Sequence, residues 1–272
     1  METVIYSCNA SLSKEEKISN NLLACRIGET LGVGVTPVVN IKDLTDKGIE
    51  KVFNLCDHDE HTGSGLHESV LELEARGIVF TGANSTVLEQ FVDKKKWLTR
   101  VHGTVLTPAN SFSSDSLHAP VILKNRFSHG SMKLTPESVL CRIPDTTDAD
   151  SYLEEFIEGD EYSYCEVPDI FAVSIKKQVE RNKICDFYYK WKRADIETCQ
   201  LIHHHEIHDI AEKIKNIFGI TSYFRIDYRI RNNQLFVFDV NPNCYLGENG
   251  TLMKAANLLG ITFEETIEKI YT

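Results

Sequence analysis

The sequence contains no Cys-x-x-Cys pair, no apolar run near the ~18 residues of a transmembrane helix, and no excess of positive charge. Each absence excludes something. The eight cysteines, Cys8, Cys25, Cys56, Cys141, Cys165, Cys185, Cys199 and Cys244, are scattered, so neither a zinc knuckle nor a thioredoxin-type motif is indicated. Free thiols in a reducing compartment are the simplest expectation, which points to the cytoplasm. The amino terminus, METVIYSCNASLSKEEK, lacks the basic segment and apolar core of a secretory signal. With 40 acidic against 29 basic residues, the net charge is −11. That disfavours tracking along nucleic-acid phosphates or binding an anionic membrane. It does not exclude a nucleotide, which needs only a few local lysines. A Walker sequence, GxxxxGK[ST], is also missing, and no internal repeat is evident.

What is present is an ordinary soluble composition, 42% hydrophobic and 25% charged over 272 residues, enough for two or three compact units. Thr3–Tyr6, Val35–Val39 and Lys51–Leu55 read as strands, the last apolar enough to be buried on both faces. Ser13–Leu31 shows helical apolar spacing, and helices are expected over Leu66–Arg76 and Ser85–Val101. Alternation of strand and helix argues for a parallel α/β unit over residues 1–85. A second unit starts after Pro108, with Val121–Lys124 a strand ending in lysine and Asn125–Lys133 (NRFSHGSMK) a polar loop. Tyr152–Val167 reads as strand, turn and strand around Gly159, and Phe171–Glu180 as strand. Two helical segments flank Gly260-Ile261, with Thr262 as the second one's cap.

The most informative stretch is Tyr223–Asn243, which reads as two strands joined by a polar turn, Arg231-Asn232-Asn233-Gln234. Alternate residues of a strand point to opposite faces. Phe224, Ile226, Tyr228 and Ile230 on the first strand, with Phe236, Phe238 and Val240 on the second, share a face only in one register. That register sets Asp227 opposite Asp239 and Arg225 opposite Asn241. Facing carboxylates repel unless a cation lies between them, and Asp, Asp and an Asn carbonyl are hard oxygen ligands suited to magnesium. The plainer account is a half-exposed hairpin with a charged outer face.

Other polar stretches have competing readings. Asp57–His61 is more simply a mixed-charge loop than a metal cluster, since its spacing fixes no ligand geometry. The loop around Gly130 and Ser131 could cradle phosphate, with Lys124 as a point charge, or be an ordinary turn. Asp186–Asp195 (DFYYKWKRAD) suits a loop over an anionic ligand better than a nucleic-acid stacking surface. His204 and His208 stand four apart, which raises zinc as an option without a third ligand.

Taken in order, these pieces resemble the ATP-grasp superfamily, and most closely its D-alanine–D-alanine ligase branch. VFNL with its following loop and FTG, FVDKKKWLTRVHGTVLTPA, VILKNRFSHGSM, LEEFIEGDEYS and FRIDYRI with FVFDVNPN carry the likeness across nearly the whole chain. The resemblance implies an α/β and α+β molecule: a small amino-terminal parallel α/β domain (1–85), a central α+β lid (86–160) and a carboxy-terminal antiparallel-sheet domain (161–272). It implies ATP with two magnesium ions, or manganese, and a homodimer by analogy. Lys94 and Lys124 would contact phosphates, with Ser131 and the backbone at Gly130 covering them. Glu154 would accept from the adenine amino group, Phe156 and Ile157 would form the hinge, and Glu161 would hold the ribose. Asp227, Asp239 and Asn241 would hold metal, Arg225 would stabilise an acyl phosphate, and Lys190 or Lys192 would close over the γ-phosphate. Of these two lysines, Lys192 is the one assigned.

The chain also departs from that pattern. The family more often has Glu where Asp239 stands. Its NxxPG sequence is here Asn241-Pro242-Asn243-Cys244-Tyr245, and its acceptor-binding serine falls at Gly250. Its amino-terminal GGxSxE signature is replaced by CNASLSKEE. The expected activity is therefore an ATP-dependent carboxylate–amine ligase acting through an acyl phosphate on small, amino-acid-like substrates. A true D-alanine–D-alanine ligase, a non-catalytic ATP-binding module and a zinc protein using His203–His208 are the rivals.

Overall fold

A computed structural model describes residues 2–7, 14–38, 48–56, 65–113, 116–127, 134–177, 184 and 199–272. Among them are three sheets. The first is parallel, in the order β2-β1-β3-β4, built from β1 (Glu2–Ser7), β2 (Gly34–Val38), β3 (Lys51–Leu55) and β4 (Val79–Phe80). Helix α1 (Lys14–Leu31) connects β1 to β2 and α2 (Gly65–Ala75) connects β3 to β4, as parallel neighbours require. Val52, Phe53 and Asn54 of β3 are all buried, so the apolar run is covered on both faces as expected.

The helix expected over Ser85–Val101 is two helices, α3 (Ser85–Val92) and α4 (Lys94–Val101). Asp93 between them is extended, with φ −115° and ψ 116°. It accepts from the Lys95 amide at 2.9 Å, capping α4, and its carboxylate is gripped by Arg126 at 2.6 and 3.1 Å. Capping competes with continuing the helix, and here capping prevails.

The second sheet, β6-β5-β7, is antiparallel: β5 (Val121–Asn125) lies between β6 (Val139–Leu140) and β7 (Ser151–Glu155). The third is antiparallel with five strands, β10-β9-β8-β11-β12. These are β8 (Glu161–Val167), β9 (Phe171–Lys177), β10 (Cys199–Ile202), β11 (Phe224–Arg231) and β12 (Gln234–Pro242). The short strands β6 and β10 were not anticipated from sequence.

Helix α5 (His205–Phe218) covers one face of the five-stranded sheet, burying Ile207, Ala211, Ile214 and Phe218, one stripe at helical spacing. Gly219 ends it in the left-handed conformation. Helices α6 (Thr251–Leu258) and α7 (Phe263–Tyr271) serve the other face, Leu252, Met253, Ala255 and Ala256 joining a core with Cys165 and Ile175. Thr262 and Glu265 form a capping box at the start of α7. Each fully buried large apolar side chain contributes about 1.5–3 kcal/mol. Both cores run from the parallel sheet to the five-stranded one. Among the described residues, no helix is long and apolar enough to cross a membrane.

The β11–β12 hairpin needs two registers. Asn232 and Asn233 have φ of 51° and 60°, the mirror-image turn that joins twisted strands in two residues. That turn pairs Arg231 with Gln234 and hence Tyr228 with Val237. At the open end the expected register holds, Asp227 facing Asp239 and Arg225 facing Asn241. A β-bulge between Asp227 and Tyr228 absorbs the one-residue difference, leaving Phe238 as the extra residue. The single register expected along the whole hairpin is therefore correct only for its open half. Tight-turn geometry sets the closed half.

Candidate functional site

One face of the five-stranded sheet carries charge, and that face is buried. Lys177, Asp227, Arg229 and Glu161 are each exposed by only 2–5%. A solvated outer face, the plainer account of the hairpin, is thereby ruled out. Charged side chains are rarely buried unless paired, and here register does the pairing. Lys177 stands opposite Glu161 across β9–β8, and Glu161 opposite Arg229 across β8–β11. Lys177 Nζ lies 3.2 Å from Glu161 Oε1, and Arg229 donates to Glu161 Oε2 at 3.0 Å. Arg229 also donates to the Ile157 carbonyl at 3.0 Å and lies over the Phe156 ring.

Asp227, one step along β11, is held from both sides. Its Oδ1 accepts from Ser163 Oγ and from Lys177 Nζ at 3.1 Å. Its Oδ2 accepts from Arg225 through Nε at 3.1 Å and a terminal nitrogen at 2.8 Å. Burial alone would raise the Glu161 carboxyl, but Lys177 and Arg229 outweigh it and hold the group below its ordinary value. Burial likewise works against the Arg225 charge, and neighbouring Asp227 overrides it, leaving the guanidinium more firmly protonated.

Asp239 and Asn241 sit beyond this buried set and are only partly covered. Asn241 Nδ2 donates to Asp239 Oδ2 at 2.8 Å. That bond orients the amide so that its carbonyl oxygen is the remaining acceptor.

A second polar group comes from the three-stranded sheet. Lys124 and Glu154 share one face, since Lys124 pairs with Tyr152 and Ile122 with Glu154. The Lys124 ammonium is ion-paired with Glu154, which is 1% exposed, and lies 5.3 Å from the centre of the Phe238 ring. The extra residue of the bulge thus meets the strand lysine. Burial pushes the Glu154 carboxyl up, with Lys124 pulling against it; Asp239 and Lys94 are also close enough to act on its charge. The Lys124–Glu154 pair of the three-stranded sheet thus meets Phe238, the residue before Asp239, and Lys94 at the start of α4 is tied to the end of β5 by its amide, which donates to Arg126 O at 3.0 Å. The hinge is ordered locally. Phe156 N donates to Pro120 O at 2.8 Å, and Gly159 has φ 137° with no room for a Cβ, which would fall 2.7 Å from Ile230 O.

Residues 91–245, more than half of the chain, match the ATP-grasp domain family. The chain belongs to the ATP-grasp family. A curated D-alanine–D-alanine ligase from Haemophilus ducreyi is 26% identical over 299 residues, covering 98% of this chain and 95% of the relative. The solved D-alanine–D-alanine ligase of Bacillus anthracis complexed with ATP superposes on this ATP-grasp chain with a TM-score of 0.71. It is 14% identical, with 99% and 95% of the two chains covered. An ATP-grasp superfamily protein from Archaeoglobus fulgidus gives a TM-score of 0.63 at 13% identity, covering 98% and 88%. The layout of parallel and antiparallel sheets is that of the ATP-grasp fold. By family and fold the chain is an ATP-grasp enzyme of the ligase type.

Gly130, Ser131, Lys190, Lys192 and the Asp57–His61 loop lie outside the described residues. Among the described residues, no group of three or more His, Cys, Asp or Glu side chains is arranged to hold a metal. The histidine pair does not share a helix face. His204 is the extended residue before α5, and its Nδ1 lies 2.8 Å from the Tyr228 hydroxyl. The His208 ring packs edge-on against Tyr164. Sequence reasoning missed Lys177, Arg229 and Ser163. Arg229 shared the odd-numbered face with Arg225 and Asp227, which was a usable signal. Lys177 carried none, because nothing local distinguishes a buried strand lysine from an exposed one.

Beyond Asn241 the chain turns sharply. Asn243 has φ 69°, and its Oδ1 accepts from the Ala83 amide at 2.7 Å, tying this turn to the parallel sheet. Among the described residues, its Nδ2 and that of buried Asn54 are donors with no hydrogen-bond partner. Burial pushes the Cys244 thiol up to about 12 and raises Cys165 as well, so neither is set up as a nucleophile.

Proposed function

We propose that this protein is an ATP-dependent carboxylate–amine ligase that forms an amide or peptide bond on amino-acid-like substrates by way of an acyl phosphate. What supports this most is the meeting of the Lys124–Glu154 pair, with Lys94 anchored beside the end of its sheet, and the strand that carries Phe238, Asp239 and Asn241. The lysines would neutralise nucleotide phosphates. Glu154 would accept from the adenine amino group, and Ile157 would present hinge backbone atoms beside Phe156. The Asp239 carboxylate and Asn241 carbonyl are hard oxygen donors that fit magnesium, which would neutralise charge on the transferring phosphoryl group. The Arg225 guanidinium, fixed by Asp227, would stabilise the acyl phosphate. Ser131 and the Gly130 backbone would cover the phosphates, with Lys192 or Lys190 above them. Glu161 would reach a ribose only by releasing Lys177 or Arg229.

Residues 1–85, 86–160 and 161–272 are the proposed domains, each holding one of the three sheets. A cytoplasmic setting, which supplies ATP and keeps thiols reduced, suits the chemistry.

The substrate end argues against a D-alanyl acceptor. A Cβ at Gly250 would lie 2.7 Å from Tyr245 O and 2.8 Å from Gly247 O, so this backbone cannot take the serine that the resemblance expects there. The Tyr245 side chain packs against Gly247 and reaches Ser19 Oγ at 3.4 Å. The unpartnered amides of Asn54 and Asn243 are donors suited to a substrate carboxylate or carbonyl oxygen.

The deciding assay follows phosphate release with ATP, magnesium and pooled amino acids of both hands. Release that depends on an amino acid supports the ligase, and mass spectrometry of the product names the substrates. Tight ATP binding without turnover across broad pools would favour a binding module instead.

A further inference from the structure

The family resemblance anticipates two metal ions, with Asp227 among their ligands. The local chemistry disagrees. An ionised carboxylate offers about four lone-pair directions, and those of Asp227 are taken by Ser163 Oγ, Lys177 Nζ, Arg225 Nε and an Arg225 terminal nitrogen. The surrounding charge points the same way. Among the described residues, two buried carboxylates, Glu161 and Asp227, already contact three cations, Lys177, Arg225 and Arg229. A divalent ion on Asp227 would have to displace one of these donors and then lie against the remaining positive charges. Like charges at such distances in a covered site repel strongly.

Asp239 is different. It faces Asp227 across the hairpin but is only half-covered, and Asn241 leaves it an oxygen and supplies a carbonyl.

From this we infer that the site holds a single divalent ion, on Asp239 and Asn241, and that the Lys177 ammonium supplies the second positive charge while closing Asp227 to metal. Lys177 is reached from β9, two strands from β11, and spans Glu161 and Asp227 together. A lysine there adds a fixed positive charge that needs no free metal and does not exchange.

The inference rests on the ATP-ligase reading, and its test separates the two. The full-length protein is titrated with Mn²⁺ in the presence of the non-hydrolysable β,γ-methylene analogue of ATP. Bound ions per chain are counted by electron paramagnetic resonance, and nucleotide binding is measured separately by calorimetry. One uncoupled Mn²⁺ per chain is expected. Lys177→Met should admit a second, spin-coupled ion, whereas Lys177→Arg should keep the count at one. Two coupled ions in the unaltered protein with the analogue bound would overturn this inference while leaving the ligase reading standing. Lys177→Met still holding one ion would overturn the role given to Lys177. Failure to bind the analogue at all would refute the nucleotide reading, and this inference with it.

Discussion

Lys177 Nζ lies 3.1 Å from Asp227 Oδ1, and both side chains are 98% shielded from solvent. Removing one partner of such a pair strands the other charge in a covered site, which typically costs about 3–5 kcal/mol. Asp227→Ala should therefore lower unfolding stability by about that amount, because Arg225 loses the carboxylate that grips it and Lys177 keeps Glu161 but loses Asp227. Asp239→Ala removes a half-exposed group whose partner is Asn241. It should change stability by less than about 1 kcal/mol while abolishing turnover. Urea unfolding and phosphate release, measured on both variants, separate the two roles. Equal destabilisation by both would contradict the assignment, and full activity of Asp239→Ala would sink the metal site.

Glu161 gives a pH dependence with a definite sign. Its carboxyl is held below the ordinary value near 4.5 because Lys177 and Arg229 outweigh burial. Its stabilisation is thus fully present above about pH 4.5 and is lost as pH falls through the lower folded-state value. Glu161→Gln should be destabilised relative to the unaltered protein by about 3–5 kcal/mol at pH 7. The gap should close progressively below pH 4.5, where the unaltered protein also takes up the proton. Denaturant midpoints measured from pH 7 downward check this. A gap that stayed constant into the acid range would show that Glu161 acts through packing rather than charge.

These two carboxylates also show what could be read from sequence. The pairing of Asp227 with Asp239 followed from alternation alone, because burial of Ile226 and Val240 leaves one register at the open end. The bulge at Phe238 did not, since it arises from conflict between that register and a two-residue Asn232-Asn233 turn. Lys94, Lys124 and Glu154 were picked by their order relative to a known fold; β5 and β7 set Lys124 and Glu154 side by side, and Lys94 opens α4. The buried ladder of Lys177, Glu161 and Arg229 depends on which strands lie side by side. Strand order is a long-range property that no local pattern in β8, β9 or β11 encodes.

Lys124 and Glu154 form the corresponding pair on the three-stranded sheet. Burial raises the Glu154 carboxyl despite Lys124, so this pair is poised between structure and ligand. Lys124→Met should weaken ATP binding by about tenfold or more, the loss of one charge-assisted contact to phosphate. It should also push Glu154 further toward its neutral form, because the counter-charge disappears. Calorimetric ATP titration over a pH series reads both effects. A variant that binds ATP normally would remove Lys124 from the phosphate site.

Gly82 tests the link between the parallel sheet and the end of β12. Its φ is +97°, and a Cβ there would lie 2.3 Å from Asn243 Oδ1, the atom that accepts from the Ala83 amide. Gly82→Ala must therefore both strain the backbone and displace the Asn243 side chain. Gly32 also has positive φ, +66°, but a Cβ there meets nothing within 4 Å. Gly32→Ala should cost about 1–2 kcal/mol from backbone conformation alone. Gly82→Ala should cost that plus about 1–3 kcal/mol for the lost hydrogen bond and the buried groups left unpaired. Because Asn243 is two residues from Asn241, the same change should raise the KM for the amino-acid-like substrate. The Gly32 variant should leave KM unaltered. If the two variants lose equal stability and keep the same KM, the contact between Gly82 and Asn243 has no part in shaping the substrate end of the site.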